Sequence, residues 1–316
     1  MTALPLRQAI WASLIPHAIP DSRYNFDFSL FTPDFRSSEA ALERICALEC
    51  YQNASTLYIG PDNSLTSLRV RALRDGKKVL VTSYAMRRGF WLLDPKRIDV
   101  DANEKWKFEV AGLMDGMEKP GFGRRIGLAE LRDEKLTVDL FVSGSAVVEE
   151  NTGSRLGEGK GWSDLVWGIL KEVGLLKGEG TAVATLVHDC QVIDQNEGEE
   201  HAMEKIKRDV WDVALNYIIT PTRVIEIPGA TKPGCGILWE NLTEEAIRTI
   251  PPLQELKGIQ MMDSIMSEAA RKTAEFRIGM TEEKSHVDDK EEKGVPNEYE
   301  SMGISIVERL MKGYKS

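Results

Sequence analysis

Gly153-Ser154-Arg155-Leu156-Gly157-Glu158-Gly159-Lys160-Gly161-Trp162-Ser163-Asp164 lies between an apolar run and a helical run. Ahead of it, Thr137-Val138-Asp139-Leu140-Phe141-Val142-Ser143-Gly144 is β-branched and apolar enough for a buried strand. Behind it, Leu165-Val166-Trp167-Gly168-Ile169-Leu170-Lys171-Glu172-Val173 reads as a helix. The order is strand, glycine loop, helix. Gly157, Gly159 and Gly161 let the backbone turn sharply and keep side-chain carbon away from its amides, while the following helix adds its positive N-terminal dipole. Arg155 and Lys160 bring positive charge, and Asp164 falls in the first helical turn, where a carboxylate reaches a magnesium ion. Phosphate is the ligand such a loop suits. The spacing is neither that of a P-loop nor that of a dinucleotide fingerprint, and taken alone it fits a glycine-rich surface turn equally well.

Working outward, Thr56-Leu57-Tyr58-Ile59 and Lys78-Val79-Leu80-Val81-Thr82 predict two strands around a helix over 65–74, one parallel crossover unit. Ala182-Val183-Ala184-Thr185-Leu186-Val187 and Asn216-Tyr217-Ile218-Ile219-Thr220 predict two later strands. His188 and Asp189 follow the first of these; with no serine or cysteine nucleophile to join them, they suit support of the loop rather than a triad. Leu6, Ile10, Trp11 and Leu14 mark one face of a helix over 3–15, ended by Pro16 and Pro20. Residues 25–37 read as a surface loop, after which Ser37 or Ser38 caps a helix through Gln52. Arg87-Arg88-Gly89-Phe90-Trp91 suits either a place where substrate stacks or a carboxylate is met, or an ordinary strand edge. The glycines of 112–127 suggest either a flexible loop near the ligand or a surface excursion, and the charged run 195–209 a solvated helix. Thr243 is the expected N-cap of a helix that Pro251 and Pro252 stop.

The 316 residues, 42% hydrophobic, are enough for one large α/β domain with an appendage. The boundary is expected at 257/258. Beyond it, apolar residues at 261, 262, 265, 266 and 269 predict an amphipathic helix, 281–300 is too charged to pack, and 304–311 has the pattern of a short terminal helix. Half of the net charge of -10 comes from 281–300, where eight acids face three lysines, so the charge says little about the site. Neither a membrane span nor a secretory leader is read, and the expectation is a cytoplasmic protein. Cys46, Cys50, Cys190 and Cys235 form neither a disulfide framework nor a zinc pattern.

Arg155-Leu156-Gly157-Glu158-Gly159-Lys160-Gly161, followed by an aromatic and then Asp164, resembles the signature loop of the 5-formyltetrahydrofolate cyclo-ligase family. Val187-His188-Asp189-Cys190-Gln191-Val192 and Tyr217-Ile218-Ile219-Thr220-Pro221-Thr222-Arg223-Val224-Ile225 fall where that family has later strands, and the whole is most similar to its divergent, methenyltetrahydrofolate synthetase domain-containing branch. The resemblance implies a three-layer α/β sandwich with a mainly parallel sheet, NagB/RpiA/CoA-transferase-like. It implies an ATP-dependent enzyme that closes 5-formyltetrahydrofolate to 5,10-methenyltetrahydrofolate with magnesium. Arg155 and Lys160 would neutralise phosphate, Gly157, Gly159, Gly161 and Trp162 would line the nucleotide site, and Asp164 would hold the metal. It also implies that a basic residue on the first helix folds back to the phosphates; Arg7 is the candidate, although from the residues alone it is a solvated arginine. Asp62 stands where the family has a folate-binding glutamate, Ser163 where it has a tyrosine, and Asn216 where it has a second aspartate. Two other readings stay open: a non-catalytic nucleotide-binding protein working through partners at its C-terminal extension, and an enzyme of the same fold with a non-folate substrate. Neither nucleic acid nor membrane is implied as a partner.

Overall fold

The structure, a computed structural model, describes residues 4–20, 27, 31–98, 106–157, 159–194, 206 and 208–284. Five strands run parallel in the middle of a sheet: β1 (Thr56–Ile59), β2 (Lys78–Thr82), β5 (Leu140–Val142), β8 (Ala182–Leu186) and β10 (Tyr217–Ile219). Antiparallel strands finish its edges: β3 (Phe90–Leu93) and β4 (Arg124–Ile126) on one side, β11 (Val224–Glu226) on the other. The spatial order is β11-β10-β8-β5-β1-β2-β3-β4. A smaller sheet joins β6 (Val147–Glu149) to β7 (Arg155–Leu156) and β9 (Val192–Ile193) in the order β7-β6-β9.

Strand alternation builds two cores, one on each face. Tyr58, Leu80, Phe141, Val183 and Ile218 point to one, under Val166, Trp167, Ile169 and Leu170 of helix α8 (Trp162–Glu172). Leu57, Ile59, Val79, Val81, Leu140 and Val142 point to the other, together with Ala41 and Ile45 of α2 (Ser38–Ala47) and Leu68, Ala72 and Leu73 of α4 (Thr66–Arg74). Helix, sheet, helix are the three layers expected.

Several local expectations change. Ser37 precedes α2 but sits at φ 65° with no side-chain cap, and Leu48, extended at φ -68° and ψ 141°, breaks off a last turn as α3 (Glu49–Gln52). The glycine-containing 112–127 region is ordered rather than an excursion. It carries α5 (Trp106–Gly112), α6 (Met114–Met117) and β4, and a side chain at Gly116 would strike the Val110 carbonyl. α7 (Leu128–Asp133) follows. Thr243 does cap α9 (Glu244–Thr249), its hydroxyl accepting from the Ala246 amide at 3.1 Å. Pro251 and Pro252 end that helix but also open the next, α10 (Pro251–Lys284), because a first-turn proline lacks only an amide the helix would leave unpaired.

Contacts divide the chain into Met1–Gln260 and Met261–Ser316. Met261, Met262, Ile265 and Met266 are exposed on α10. The charged run 281–300 lies mostly, and the terminal pattern at 304–311 wholly, outside the described residues, as does most of 195–209. Among the described residues no helix is long and apolar enough to cross a membrane.

Candidate functional site

The strand order reverses between β1 and β5: the chain moves from β1 outward to β2, then crosses back and continues through β5, β8 and β10. Loops leaving the carboxyl ends diverge at such a point and open a crevice. Here the crevice is a cavity of about 620 Å³, lined by the loops after β1 and β2, the glycine loop and Arg7. That size suits a small-molecule site. Asp62 bridges the reversal, its Oδ2 accepting from the Gly144 amide at 2.9 Å. Beneath it, the buried guanidinium of Arg69 donates to the carbonyls of Gly60 (2.6 Å) and Gly112 (2.8 Å) and holds the turn after β1; burial pushes its pKa down to about 10. In sequence this arginine looks like any helix-surface residue.

The glycine loop is not reached directly from β5. The hairpin β6–β7 comes between, and α8 begins at Trp162, three residues earlier than expected. Glu149 shapes the hairpin turn by accepting from the Asn151 and Thr152 amides at 3.0 and 2.7 Å. Despite burial, these bonds and those from the Thr152 and Asn151 side chains hold its pKa below the usual value. Gly159 (φ 93°) and Gly161 (φ 65°) take the left-handed turns that bring the backbone round to the helix. Gly157 has no such conformation; its role is its carbonyl, which accepts from Arg7 Nε at 2.8 Å. Among the described residues, the amides of Gly157, Gly159, Lys160 and Gly161 meet no acceptor.

Arg7 is therefore not a solvated arginine. Helix α1 (Leu4–Leu14) buries Leu6 and Ile10 against Ala146 and Val147 of the hairpin, and that packing lays Arg7 along the loop, its guanidinium carbon 3.6 Å from where a Gly159 side chain would start. Burial lowers its pKa. At the far end of α1, His17 stacks on His188 with ring centroids 4.1 Å apart. His188 caps the turn after β8, and Gln191 of that turn donates to the carbonyls of Ser145 and Ala146 at 2.8 and 3.2 Å, so this segment supports the hairpin.

The two loop cations differ. The Arg155 side chain is 5% exposed, donating to Ser143 Oγ at 2.8 Å and to Asp164 Oδ1 at 2.9 Å, with its Nε buried and without a partner among the described residues. Lys160 is exposed on the cavity and has no hydrogen bond or ion pair among the described residues. Asp164 Oδ1 also accepts from the Val213 amide at 3.2 Å, which leaves Oδ2 for any cation. Asp209 and Asp212 line the cavity too, and burial raises the Asp212 pKa, the charges of Asp164 and Asp209 adding to it. Among the described residues no group of three or more His, Cys, Asp or Glu could by itself hold a metal. One free carboxylate oxygen fits magnesium only in its usual phosphate-bridged form, with water and phosphate completing the shell.

The second wall comes from β1 and the turn after β2. Tyr58 is buried, stacked on Phe141 at 4.4 Å, and shares a 3.2 Å hydrogen bond with the Thr82 hydroxyl; burial keeps its phenol protonated. Ala85 and Met86 follow one another at φ 51° and 53°. Two successive non-glycine residues there cost about 1–3 kcal/mol each. The Tyr84 hydroxyl, donating to Asn63 Oδ1 at 3.0 Å, and the buried Met86 side chain hold the turn in place. Arg87 and Tyr84 both line the cavity. Arg7, Arg155, Gly157, Gly159, Lys160, Gly161, Trp162, Ser163 and Asp164 line it as well. Asn216 does not: its carboxamide accepts from the Val183 amide at 3.0 Å and from Lys232 at 2.5 Å, before β10 begins. The comparison of Asn216 with a site aspartate fails for that reason.

Fold and cavity define an α/β protein with a small-molecule site at the switch point of a parallel sheet. A family model described as the 5-formyltetrahydrofolate cyclo-ligase family matches residues 18–221, and the chain belongs to that family. It is 30% identical over 256 residues to a methenyltetrahydrofolate synthase domain-containing protein of Mus musculus (80% of this chain, 62% of that protein). With the proteins of the same description from Homo sapiens and Danio rerio it shares 30% over 257 residues (80% and 61%) and 31% over 230 residues (72% and 55%). The chain spans only about 55–62% of the length of these relatives. The NMR structure of Aquifex aeolicus 5,10-methenyltetrahydrofolate synthetase covers 72% of this chain and 94% of its own, at 18% identity and a TM-score of 0.42.

Proposed function

We propose a cytoplasmic, ATP-dependent cyclo-ligase acting on 5-formyltetrahydrofolate. The observation that carries the reading is the set of donors on one loop that have no acceptor among the described residues, the amides of Gly157, Gly159, Lys160 and Gly161 with the Lys160 ammonium, on residues that line a cavity Arg7 also lines. In the reaction the formyl oxygen attacks the γ-phosphorus of ATP and ADP leaves. The neighbouring folate nitrogen then adds to the formyl carbon and loses its proton as phosphate departs with the oxygen. Phosphoryl transfer of this kind needs alignment and charge neutralisation more than a covalent side chain.

The loop amides and Lys160 bind the phosphates, and Arg155, fixed by Ser143 and Asp164, presents positive charge without moving. Arg7 covers the loop and excludes water. Trp162, Tyr58 and Met86 give the reduced pterin apolar surface, and Asp62 faces its polar edge. When bound, magnesium offsets phosphate charge; Asp164 Oδ2 is its proposed ligand. We assign the reaction to residues 1–257 and treat 258–316 as an extension not needed for nucleotide binding.

The test is phosphate release measured with ATP-magnesium, with and without 5-formyltetrahydrofolate, beside calorimetric ATP binding. Release that depends on the folate is expected. Lys160→Ala should weaken nucleotide binding roughly tenfold to a hundredfold with or without metal, and Asp164→Asn only the metal-dependent part. Tight ATP binding without folate-dependent release would instead support the non-catalytic reading, which Ser163 favours by leaving the cavity wall without an expected aromatic ring. A non-folate substrate would show as release with another N-formyl or amide compound.

A further inference from the structure

Arg87 lines the cavity beside Tyr84 and Met86, is exposed, and its side chain has no hydrogen bond or ion pair among the described residues. Its neighbour Arg88 is committed: the side chain pairs with Glu118 and the amide donates to Ser83 Oγ at 2.8 Å. A surface arginine without a partner needs no explanation by itself. What sets this one apart is the backbone that carries it.

Ala85 and Met86 are both left-handed, where a glycine would sit without strain. The turn is nevertheless tied at every step. Met86 donates its amide to the Ser83 carbonyl at 2.9 Å, Arg87 to Tyr84 at 3.3 Å, Gly89 to Met86 at 3.0 Å, and Ser83 to Gly89 at 3.1 Å. A strained turn this fully determined, on the wall of a cavity, holds its next residue in one place. The residue so held is a free guanidinium.

We propose that Arg87 is a specificity-determining residue that binds a carboxylate at the end of the substrate remote from the reacting formyl group. This rests on the cyclo-ligase reading and adds to it: the cations proposed to meet phosphate, Arg155 and Lys160, belong to the glycine loop, whereas Arg87 belongs to the turn after β2, so the cavity has a second anion-binding element on a different part of the fold. A planar guanidinium suits a carboxylate in a two-bond geometry, and 5-formyltetrahydrofolate ends in a glutamate that supplies one. Because the arginine is exposed, its contribution is modest and weakens with salt.

The experiment measures binding of 5-formyltetrahydrofolate, and of its analogue with the glutamyl group replaced by a neutral primary amide, to the full chain holding a non-hydrolysable ATP analogue. Wild type should prefer the acid by about threefold to fivefold at low salt. Arg87→Gln should bring the two ligands within about twofold while ATP-analogue affinity and unfolding temperature stay at wild-type values; Arg87→Lys should restore part of the preference. Ala85→Gly should reduce the preference without touching the arginine. An undiminished preference in Arg87→Gln, or none in wild type, overturns the role of Arg87 and leaves the cyclo-ligase reading standing. Binding of neither folate by a wild type that still holds the ATP analogue overturns both.

Discussion

The two walls of the cavity solve the same backbone problem in different ways. Both need left-handed turns to bring donors to the ligand side. The loop at 153–164 makes them with Gly159 and Gly161, which adopt positive φ at no steric cost; the turn at 83–89 closes on Gly89 (φ 77°) but makes its two successive left-handed steps with Ala85 and Met86, which do not. A glycine loop leaves amides bare and stays adaptable, which suits phosphate, a ligand gripped by many equivalent donors. A strained but fully tied turn aims one side chain. Glycine content therefore finds the first kind of wall in a sequence and misses the second.

The largest expected effect tests whether the glycine wall is held from inside. Arg155→Ala removes the buried partner of Asp164 and the bond to Ser143, and should cost about 2–3 kcal/mol of stability, less than a fully buried pair because Asp164 is partly exposed. Chemical denaturation measures it, and an unchanged midpoint would mean that the loop stands without this pin.

Next comes a reciprocal exchange. Gly161→Ala should destabilise by about 1 kcal/mol, and Ala85→Gly should stabilise by up to about 1 kcal/mol, relief of strain being partly offset by a freer unfolded chain. Opposite signs in thermal melts would sharpen the contrast between the walls; equal signs would break it.

The smallest effect separates the walls by pH. The glycine wall is clasped by α1, whose far end is docked through His17 on His188. Burial, then the charge of His17, lowers the His188 pKa from 6.5, with Asp189 opposing; Cys190 and Phe35 are the other near neighbours. The folded state therefore takes up this proton less readily than the unfolded chain does. Stability is full above pH 6.5 and falls as the pH drops below it. Melting temperatures at pH 7.5 and 5.5 should show a fall that is smaller in His188→Phe. An identical fall in both proteins would remove the stack from the account.

Much of this was legible because it depends on local chemistry. The continuous β-branched and apolar runs of β1, β2, β5, β8 and β10 placed the five parallel strands, and glycines with Arg155, Lys160 and Asp164 marked one wall. What stayed hidden depends on tertiary partners. The hairpin β6–β7 is held by Glu149 and Gln191 through bonds that strand patterning does not encode. Arg69 looks like a surface arginine in sequence yet is buried under the β1 turn, while Arg87, which in sequence suits a carboxylate contact or an ordinary strand edge, is carried by a turn with no glycine at its strained positions. Asn216 misled for the same reason, since its place before β10, not its residue type, keeps it from the cavity.

The bond from Arg7 to Gly157 joins residues 150 apart. During synthesis at roughly 5–20 residues per second, α1 waits on the order of 8–30 seconds for its partner to exist. Throughout that interval Leu6 and Ile10 lack the Ala146 and Val147 surface that later covers them. The clasp of the glycine wall is thus a late event in the life of the chain, and a nascent protein stalled before residue 146 presents the uncovered Leu6 and Ile10 face of α1 to whatever chaperone or neighbour is near.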